Sequence, residues 1–255
     1  MLRVLWSAKN AMVAQQEKLD SISSNIANSN TNGYKKADVN FKDLMQESLK
    51  REGYPTETGN PIVPLTGTGI KASEWTRDNK QGSLIETGLN TDLALDGEGF
   101  LKVTLANGNS GYTRNGSFSY DSNGNLSDSS GNKLEILANG KLVKIPSSIF
   151  NIDEEGNVMD KSTGKDVKIG KIKLYNFIGS DAMTSIGNSL FVPKNGINSY
   201  EPVNTSIRQG FVEASNVDIA KEMTDMIITQ RAFELSSKGL KTADDMWGMA
   251  NNLRK

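Results

Sequence analysis

The sequence predicts an α+β fold in which the two chain ends form one discontinuous α-helical, coiled-coil domain that flanks a central all-β region. Apolar residues recur every seven positions at both chain ends, which is typical of helices that pair. In the middle of the chain the period changes to two, as in strands with one buried face. Asn-Gly pairs at Asn107, Asn115 and Asn139 supply the positive φ of tight hairpins, which favours short and mostly antiparallel strands.

The N-terminal helix is predicted to span Leu2 to Ala27, a stretch that contains neither glycine nor proline. It should stop in the polar run that ends at Gly33, because Asn and Ser side chains compete for backbone hydrogen bonds and glycine tolerates positive φ. Its apolar stripe consists of Leu5, Met12, Leu19 and Ile26.

The C-terminal helix is predicted over Val217 to Leu253, a stretch without proline. Ser215 and Asp218 have the S-x-x-D spacing of a capping box, which favours a helix start there. The apolar stripe of this helix consists of Ile219, Met226, Phe233, Leu240 and Trp247.

The seam positions that alternate with both stripes are largely polar, as at Gln16, Gln230 and Asp244. Polar residues at such positions cost stability but fix the register and the number of partners. We therefore interpret the two stripes as an assembly interface, with the polar residues bonded to neighbouring copies. The competing interpretation is that each helix packs only on its own domain.

The central strands are expected around Phe100–Leu105, Ser117–Tyr120, Ile169–Phe177 and Ser189–Val192. A weak repeat joins the segment that starts at Asp121 to the one that starts at Asp153, each with glycine at its fourth position. A calcium loop of the EF-hand type needs glycine at the sixth position and glutamate at the twelfth. Repeated β-hairpin turns are the better interpretation.

Residues 46–69 carry Pro55, Pro61 and Pro64 among Gly and Thr, which excludes a regular helix and favours an extended arm. The chain is accordingly divided into three predicted regions. The terminal helical assembly domain comprises residues 1–33 and 215–255, the linker and extended arm residues 34–72, and the β-rich outer domain residues 73–214.

Composition excludes several function classes. The 29 basic and 30 acidic residues nearly cancel, so no basic face is expected for nucleic acid or an anionic membrane. The chain has no Cys and no His, which excludes disulfides, thiolate chemistry, the Ser-His-Asp triad and His-zinc sites. Lys9 interrupts the N-terminal apolar run too early for a cleaved signal peptide, and no membrane insertion is expected.

Carboxylates are the remaining catalytic candidates, and a glycoside hydrolase needs two of them across a sugar. Glu74, Asp92, Asp96 and Glu98 lie close together in sequence near a Gly-rich turn. Turn capping and solvation explain these side chains better, because the sequence nearby supplies little aromatic surface to bind a sugar. We therefore predict no enzyme and no catalytic, cofactor or metal site, with a secreted protein that binds or cleaves cell-wall carbohydrate as the remote alternative.

The segment from Leu19 to Lys35 closely resembles the N-terminal signature of the bacterial flagellar rod and hook proteins. Further segments match that family in order, at residues 92–100, 112–118, 209–218 and 226–234. The resemblance covers essentially the whole chain. The signature positions are Asn25, Ala27, Asn28, Thr31, Gly33 and Tyr34.

This resemblance implies a structural subunit of the flagellar basal body that assembles with copies of itself and with other rod and hook subunits. Such subunits leave the cell unfolded through the flagellar type III export apparatus, without signal cleavage, and build a hollow shaft that transmits torque from motor to hook. Their terminal helices form an inner coiled-coil layer, and the β domain forms the outer wall. Chain length and arm length favour the distal part of the rod, with the proximal rod or a hook-type paralogue as the alternative.

Overall fold

The computed structural model describes residues 2–44, 46–48, 65–67, 69–138, 140–161, 166–179 and 182–252, with the backbone alone at 2–4, 46–48 and 65–67. The three arm prolines and Leu253 lie outside these residues. Contacts divide the chain into two compact units. The helical unit comprises residues 1–26, 37–76 and 219–255, and the β unit comprises residues 27–36 and 77–218.

Two helices stand at the ends of the chain, as predicted. Helix α1 spans Leu2–Ala27 and helix α2 spans Ile219–Asn252. The predicted capping box is wrong in detail, because α2 begins at Ile219 and Asp218 therefore directly precedes the first helical residue. The Ser215 hydroxyl instead accepts a hydrogen bond from the Val217 N–H, at 3.4 Å.

Four strands follow α1 in the chain and belong almost entirely to the helical unit. Strand β1 pairs with β4, and β2 pairs with β3 in antiparallel register, with Glu47 opposite Thr66. The flanks of the predicted arm are therefore extended. These strands are β1 (Ala37–Asp43), β2 (Gln46–Ser48), β3 (Leu65–Gly67) and β4 (Ile70–Arg77).

The central region is all-β, and every strand pair described in it is antiparallel, which confirms the predicted class. Its strands are β5 (Leu84–Glu86), β6 (Leu93–Asp96), β7 (Phe100–Thr104), β8 (Ser110–Thr113), β9 (Ser119–Tyr120), β10 (Leu126–Ser127), β11 (Lys133–Leu134), β12 (Ile136–Ala138), β13 (Lys141–Leu142), β14 (Phe150–Ile152), β15 (Asn157–Asp160), β16 (Val167–Ile172), β17 (Leu174–Phe177), β18 (Met183–Gly187), β19 (Leu190–Pro193), β20 (Ser199–Tyr200), β21 (Ser206–Gln209) and β22 (Phe211–Glu213).

Two sheets dominate the β unit. The nine-stranded sheet has the order β18-β19-β8-β7-β11-β10-β9, with β17 also pairing β7 and β20 pairing β17. The five-stranded sheet has the order β13-β12-β16-β15-β14, and two further pairs join β21 to β6 and β22 to β5. The prediction of a single strand over Ile169–Phe177 is wrong. The strand is interrupted at Lys173, and β16 and β17 belong to different sheets.

The core of the β unit is an aliphatic cluster that collects the inward faces of these strands. Leu101, Val103, Leu126 and Val158 are completely buried within it. A second cluster is aromatic, with Phe100 edge-to-face on Phe191 at 5.5 Å and Tyr112 on Phe177 at 4.9 Å between ring centroids. Each fully buried side chain of this size contributes about 1.5–3 kcal/mol, so the β unit has a substantial core of its own.

The repeated Asp-x-x-Gly-Asn segments form hairpin turns, which confirms that interpretation. At Asp121 the turn closes through a Gly124 N–H donated to the Asp121 carbonyl at 2.9 Å, and the Asp153 turn has the same bond at 2.8 Å. The structure adds a third copy at Asp128, where the corresponding Gly131 N–H lies 3.0 Å from the Asp128 carbonyl.

Candidate assembly interface

Asn25, in the last turn of α1, joins three elements of the helical unit. Its amide nitrogen donates to the Ala37 carbonyl at 2.9 Å and to a Glu222 carboxylate oxygen at 3.0 Å. Its amide oxygen accepts from the Ala37 N–H at 2.9 Å, and Ser21 Oγ donates to the Ala37 carbonyl at 2.7 Å. These buried bonds tie the end of α1 to the start of β1 and to the first turn of α2.

Gly33 lies where the loop after α1 crosses the β unit. Its φ is +68°, and a Cβ added there would lie 2.4 Å from the Asn115 nitrogen and 2.5 Å from the Arg114 carbonyl carbon. The Gly33 N–H donates to the Glu213 carbonyl at 2.8 Å. Only glycine fits this position, because any side chain meets backbone atoms that cannot move aside.

Lys35, Arg114 and Glu213 form a buried ion cluster behind that crossing. Lys35 Nζ lies 2.7 Å from Glu213 Oε1, and Arg114 Nη1 lies 3.2 Å from Glu213 Oε2, with all three side chains at most 2% exposed. Lys35 Nζ also donates to the Lys80 carbonyl, and the Gly82 N–H donates to Glu213 Oε1. The cluster joins three segments that are far apart in sequence.

Burial dominates the electrostatics of this cluster. Loss of hydration lowers the pKa of the Lys35 ammonium below its usual value, against the opposing attraction of Glu213. Burying charges costs solvation that a neighbouring charge offsets only when the geometry is good. The ion cluster is therefore better suited to fix where three segments meet than to add much stability.

Asn216 makes a second junction in the β unit, three residues after Glu213. Its amide oxygen accepts from the Lys36 N–H at 2.7 Å, and its nitrogen donates to the carbonyls of Asp78 and Lys80 at 2.8 and 3.0 Å. The segment that leads out of α1 and the segment that leads into α2 are thus held side by side.

The predicted stripe of α1 is half-buried along its whole length. Among the described side chains of α1, the buried ones are instead Ala14, Ser21, Ile22 and Asn25. Ala14 and Ser21 follow the stripe residues Met12 and Leu19 by two positions, which is about 200° around a helix of 3.6 residues per turn. Ala14 and Ser21 therefore lie roughly opposite the stripe, whereas the buried Ile22, three residues after Leu19, lies beside it.

The predicted stripe of α2 is half-buried at Met226, Phe233 and Leu240, whereas Ile219 and Trp247 are each 43% exposed. Among the described residues of α2, only Glu222, Thr229 and Ala243 are buried. Further large apolar side chains along α2 are exposed by half or more: Met223, Ile227, Ile228, Leu235 and Met249. Both helices thus retain apolar surface for a partner.

Three segments of the chain match known families. Residues 5–35 match the family described as "Flagella basal body rod protein" and residues 94–160 match the "Flagellar hook protein FlgE/F/G D1 domain". Residues 208–253 match the "Flagellar basal body rod FlgEFG protein C-terminal" family.

Relatives match over the full length. The flagellar basal-body rod protein FlgG of Borreliella burgdorferi is 40% identical over 100% of both chains. The FlgG proteins of Buchnera aphidicola subsp. Acyrthosiphon pisum and subsp. Schizaphis graminum are each 36% identical over 96% of this chain and 97% of their own. This chain belongs to the flagellar basal-body rod proteins. It is a structural subunit, and the resemblance found in the sequence is confirmed.

The signature positions of this rod protein fall into two groups. Asn25, Gly33 and Tyr34 are buried. The Arg77 guanidinium lies over the Tyr34 ring, with its central carbon 5.3 Å from the ring centroid. Ala27 and Thr31 are exposed, and the Thr31 N–H donates to the Asn28 carbonyl at 3.1 Å, which turns the chain after α1. The buried group has a clear structural role within the subunit.

The ion cluster was not predicted as a site from the sequence. Lys35, Arg114 and Glu213 each fall in a different one of the three family segments of the rod protein. Each lies in a segment that resembles the family, but nothing in the local pattern shows that the three side chains are in contact. No local signal identifies them as a cluster, since Lys35 is followed by Lys36 and Glu213 shares its segment with Asp218.

The candidate carboxylates are separately engaged. Asp92 accepts from the Thr87 hydroxyl at 2.7 Å, and Asp96 pairs with Arg208 at 2.6 Å. Glu98 is exposed on the wall of a cavity of about 760 Å³ in the β unit that neither Asp92 nor Asp96 lines. Within the described residues no cluster of acidic side chains could hold a metal ion, and no helix is long and apolar enough to cross a membrane.

Proposed function

We propose that this rod protein builds the distal part of the flagellar rod, as one of many copies in a hollow shaft that carries torque from motor to hook. The terminal helices pair with those of neighbouring copies in an inner coiled-coil layer. The β unit supplies the outer wall. The protein acts in the basal body of the cell envelope, next to other rod and hook subunits.

One observation carries this proposal: the apolar stripes of both helices remain partly exposed, although both helices also pack within the helical unit. Isolated soluble proteins rarely expose apolar surface in continuous stripes. Seven-residue spacing is what pairing between helices requires. Full-length similarity to proteins named FlgG supports the distal assignment over the proximal one.

Export without a cleaved signal, through the flagellar export apparatus, is part of the same proposal. It is supported by the full-length similarity to flagellar basal-body rod proteins. The lack of cysteine is compatible with it, since folding after export then needs no oxidation. We propose no catalytic role, because the acidic side chains considered for one serve turns, pairs or solvent.

The test replaces one stripe residue at a time by aspartate in the full-length chain. Leu19→Asp and Phe233→Asp should each abolish assembly, because a buried, unpaired charge at a helix seam costs several kcal/mol. Leu142→Asp is the matched control, since Leu142 is a 65% exposed leucine on the edge strand β13 of the β unit. Electron microscopy of basal bodies and sedimentation of the purified chain measure assembly. Normal rods from either stripe variant would contradict the proposed interface.

A further inference from the structure

A second apolar stripe runs along α2, separate from the predicted one. Its large members are well exposed, at 61% for Ile228, 68% for Leu235, 46% for Met246 and 59% for Met249. Residues three and four positions apart share one face of a helix. The members of this second stripe are Ile228, Ala232, Leu235, Gly239, Thr242, Met246 and Met249.

The second stripe lies on a different side of α2 from the first. Ile228 and Leu235 follow the first-stripe residues Met226 and Phe233 by two positions, or about 200° of rotation. Helix α2 therefore offers apolar residues on two roughly opposite faces. A helix that packs in one pair has no use for two such faces, whereas a helix inside a layer of helices needs both.

Large and small side chains alternate in the second stripe. Ala232 and Gly239 stand between Ile228, Leu235 and Thr242, which leaves two recesses seven residues apart. A Cβ added at Gly239 would find nothing within 4 Å. Glycine in the middle of a helix costs about 1 kcal/mol relative to alanine, and no contact with the described residues requires it here. The recess at Gly239 is therefore open to a side chain from outside.

Helix α1 carries two large side chains with the matching spacing. Trp6 is 59% exposed and Val13 is 51% exposed, and they are seven residues apart on one face. The recesses at Ala232 and Gly239 have the same separation. In pairing helices a large side chain of one helix inserts into a space between residues of the other.

The charges beside both surfaces indicate what kind of partner fits. Lys9, Glu17 and Asp20 lie near Trp6 and Val13, and Arg231, Glu234 and Lys238 lie near the second stripe of α2. Neither flank is dominated by one sign, so neither selects nucleic acid, an anionic membrane or a strongly charged protein. A balanced surface fits another balanced surface, which the helices of this chain provide.

We propose that Trp6 and Val13 of one copy insert into the recesses at Ala232 and Gly239 of a second copy. This contact rests on the proposed function and deepens it, because it assigns a partner to the second stripe of α2. It would act together with the first stripe, so that each α2 contacts neighbours on two sides.

Single cysteines test the contact directly, because the natural chain has none. A full-length Val13→Cys chain is mixed with a Gly239→Cys chain, and separately with an Ala232→Cys chain, so that a mixed disulfide can form only between copies. Lys241→Cys is the control, since Lys241 is exposed and about 200° around α2 from Gly239. Mixed disulfides are measured by mass spectrometry after mild oxidation, at concentrations where sedimentation shows association.

We expect at least one of the two pairs to cross-link about tenfold more than the control pair, since a disulfide requires Cβ atoms within about 4.5 Å. If the chains associate but neither pair exceeds the control, this contact is refuted while the proposed function stands. If the natural chain does not associate at any concentration, the proposed function and this contact both fail.

A size change at the recess gives an independent readout. Gly239→Leu should weaken association about tenfold or more, because overpacking a contact costs on the order of 1–3 kcal/mol. Gly248→Leu is the matched control, because a Cβ added at Gly248 also meets nothing within 4 Å. Gly248 lies nine residues after Gly239 and therefore faces the opposite side of α2. Equal association of the two leucine variants would overturn the proposal. Neither change removes a contact within the chain, so both variants should fold.

Discussion

Asn25 uses its amide group to bond three segments at once, with two donated hydrogen bonds and one accepted from Ala37. Replacing either end of that group leaves buried backbone atoms or the Glu222 carboxylate without these bonds. The cost of such a loss is set by desolvation rather than by the net strength of a hydrogen bond. A single signature residue thus holds the start of β1 and the first turn of α2 against α1.

Asn25→Asp tests this junction with almost no change in shape. We expect the free energy of unfolding to fall by about 3 kcal/mol, because a carboxylate cannot donate to Glu222 and adds a like charge beside it. Chemical denaturation followed by circular dichroism measures the loss, which should shrink at acid pH as the introduced carboxyl is protonated. Gln16→Glu, which also sets an acid beside an acid (Asp20) but at the surface, should cost less than about 0.5 kcal/mol.

Lys35 is a buried charge in the β unit, and only 1% of its side chain is exposed. Lys35→Met should lower the free energy of unfolding by about 3–5 kcal/mol, because Glu213 would stay buried with only Arg114 to balance it. The triple replacement of Lys35, Arg114 and Glu213 by apolar residues of similar size should recover much of that loss. Lys168→Met, at an exposed lysine on β16, is the control and should change stability little. A Lys35→Met chain as stable as that control would contradict a structural role for the cluster.

Among the elements, the Asp-x-x-Gly-Asn turns define where strands pair. At the third turn, Asp128 Oδ1 accepts from the Ser130 and Asn132 N–H groups at 2.8 and 2.9 Å, and Asp128 Oδ2 accepts from the Asn132 side chain. These bonds pre-form the loop that sets Ser127 opposite Lys133 between β10 and β11. The Asp128 side chain therefore helps to set the register between β10 and β11 in the nine-stranded sheet.

Asp128→Ala should lower the free energy of unfolding by about 2 kcal/mol, because charge-assisted bonds to three buried or half-buried donors are lost. Asp121→Ala, in the first turn, should cost clearly less, since that side chain bonds mainly to the exposed Ser122 and Asn123. Thermal unfolding of the two variants provides the comparison. An equal loss in both would show that the turn backbone, rather than the aspartate side chain, sets the register.

The periodic helices were predictable from the sequence, whereas contacts between residues far apart in the sequence were not. Helix α1 and its end near Gly33 follow from local pattern, because a seven-residue stripe and a glycine that takes positive φ act over a few residues. Lys35 lies in a polar loop, where lysine is ordinarily solvated, and its burial depends on Glu213, 178 residues away. The break at Lys173 was also hidden, because the apolar pattern continues through it while the chain changes sheets.

On the scale of the whole molecule, all tryptophan residues of the chain belong to the helical unit. Trp6, Trp75 and Trp247 are the three tryptophans of the chain, all in that unit, and they are 59%, 45% and 43% exposed. Fluorescence from these residues therefore reports the surfaces that assembly is proposed to cover. The β unit contributes tyrosine but no tryptophan.

Association should shift the tryptophan emission to shorter wavelength, because Trp6 and Trp247 leave water when helices pair. Fluorescence spectra across a concentration series, aligned with sedimentation, measure this shift. Trp75→Phe should preserve most of it, whereas Trp6→Phe and Trp247→Phe should each remove part. An unchanged spectrum in the assembled form would place the contacts away from Trp6 and Trp247.

The hydrogen bond from Gly33 to the Glu213 carbonyl joins two residues of the β unit that are 180 positions apart in the sequence. Loop-closure entropy must be overcome before such contacts return any energy, so folds dominated by them reach the native state slowly. A chain that emerges N-terminus first cannot complete the β unit until the last fifth of the polypeptide, which contains Glu213, is available. This contact therefore forms only after almost the whole polypeptide is available, which ties the last step in folding of the β unit to the arrival of its C-terminal segment.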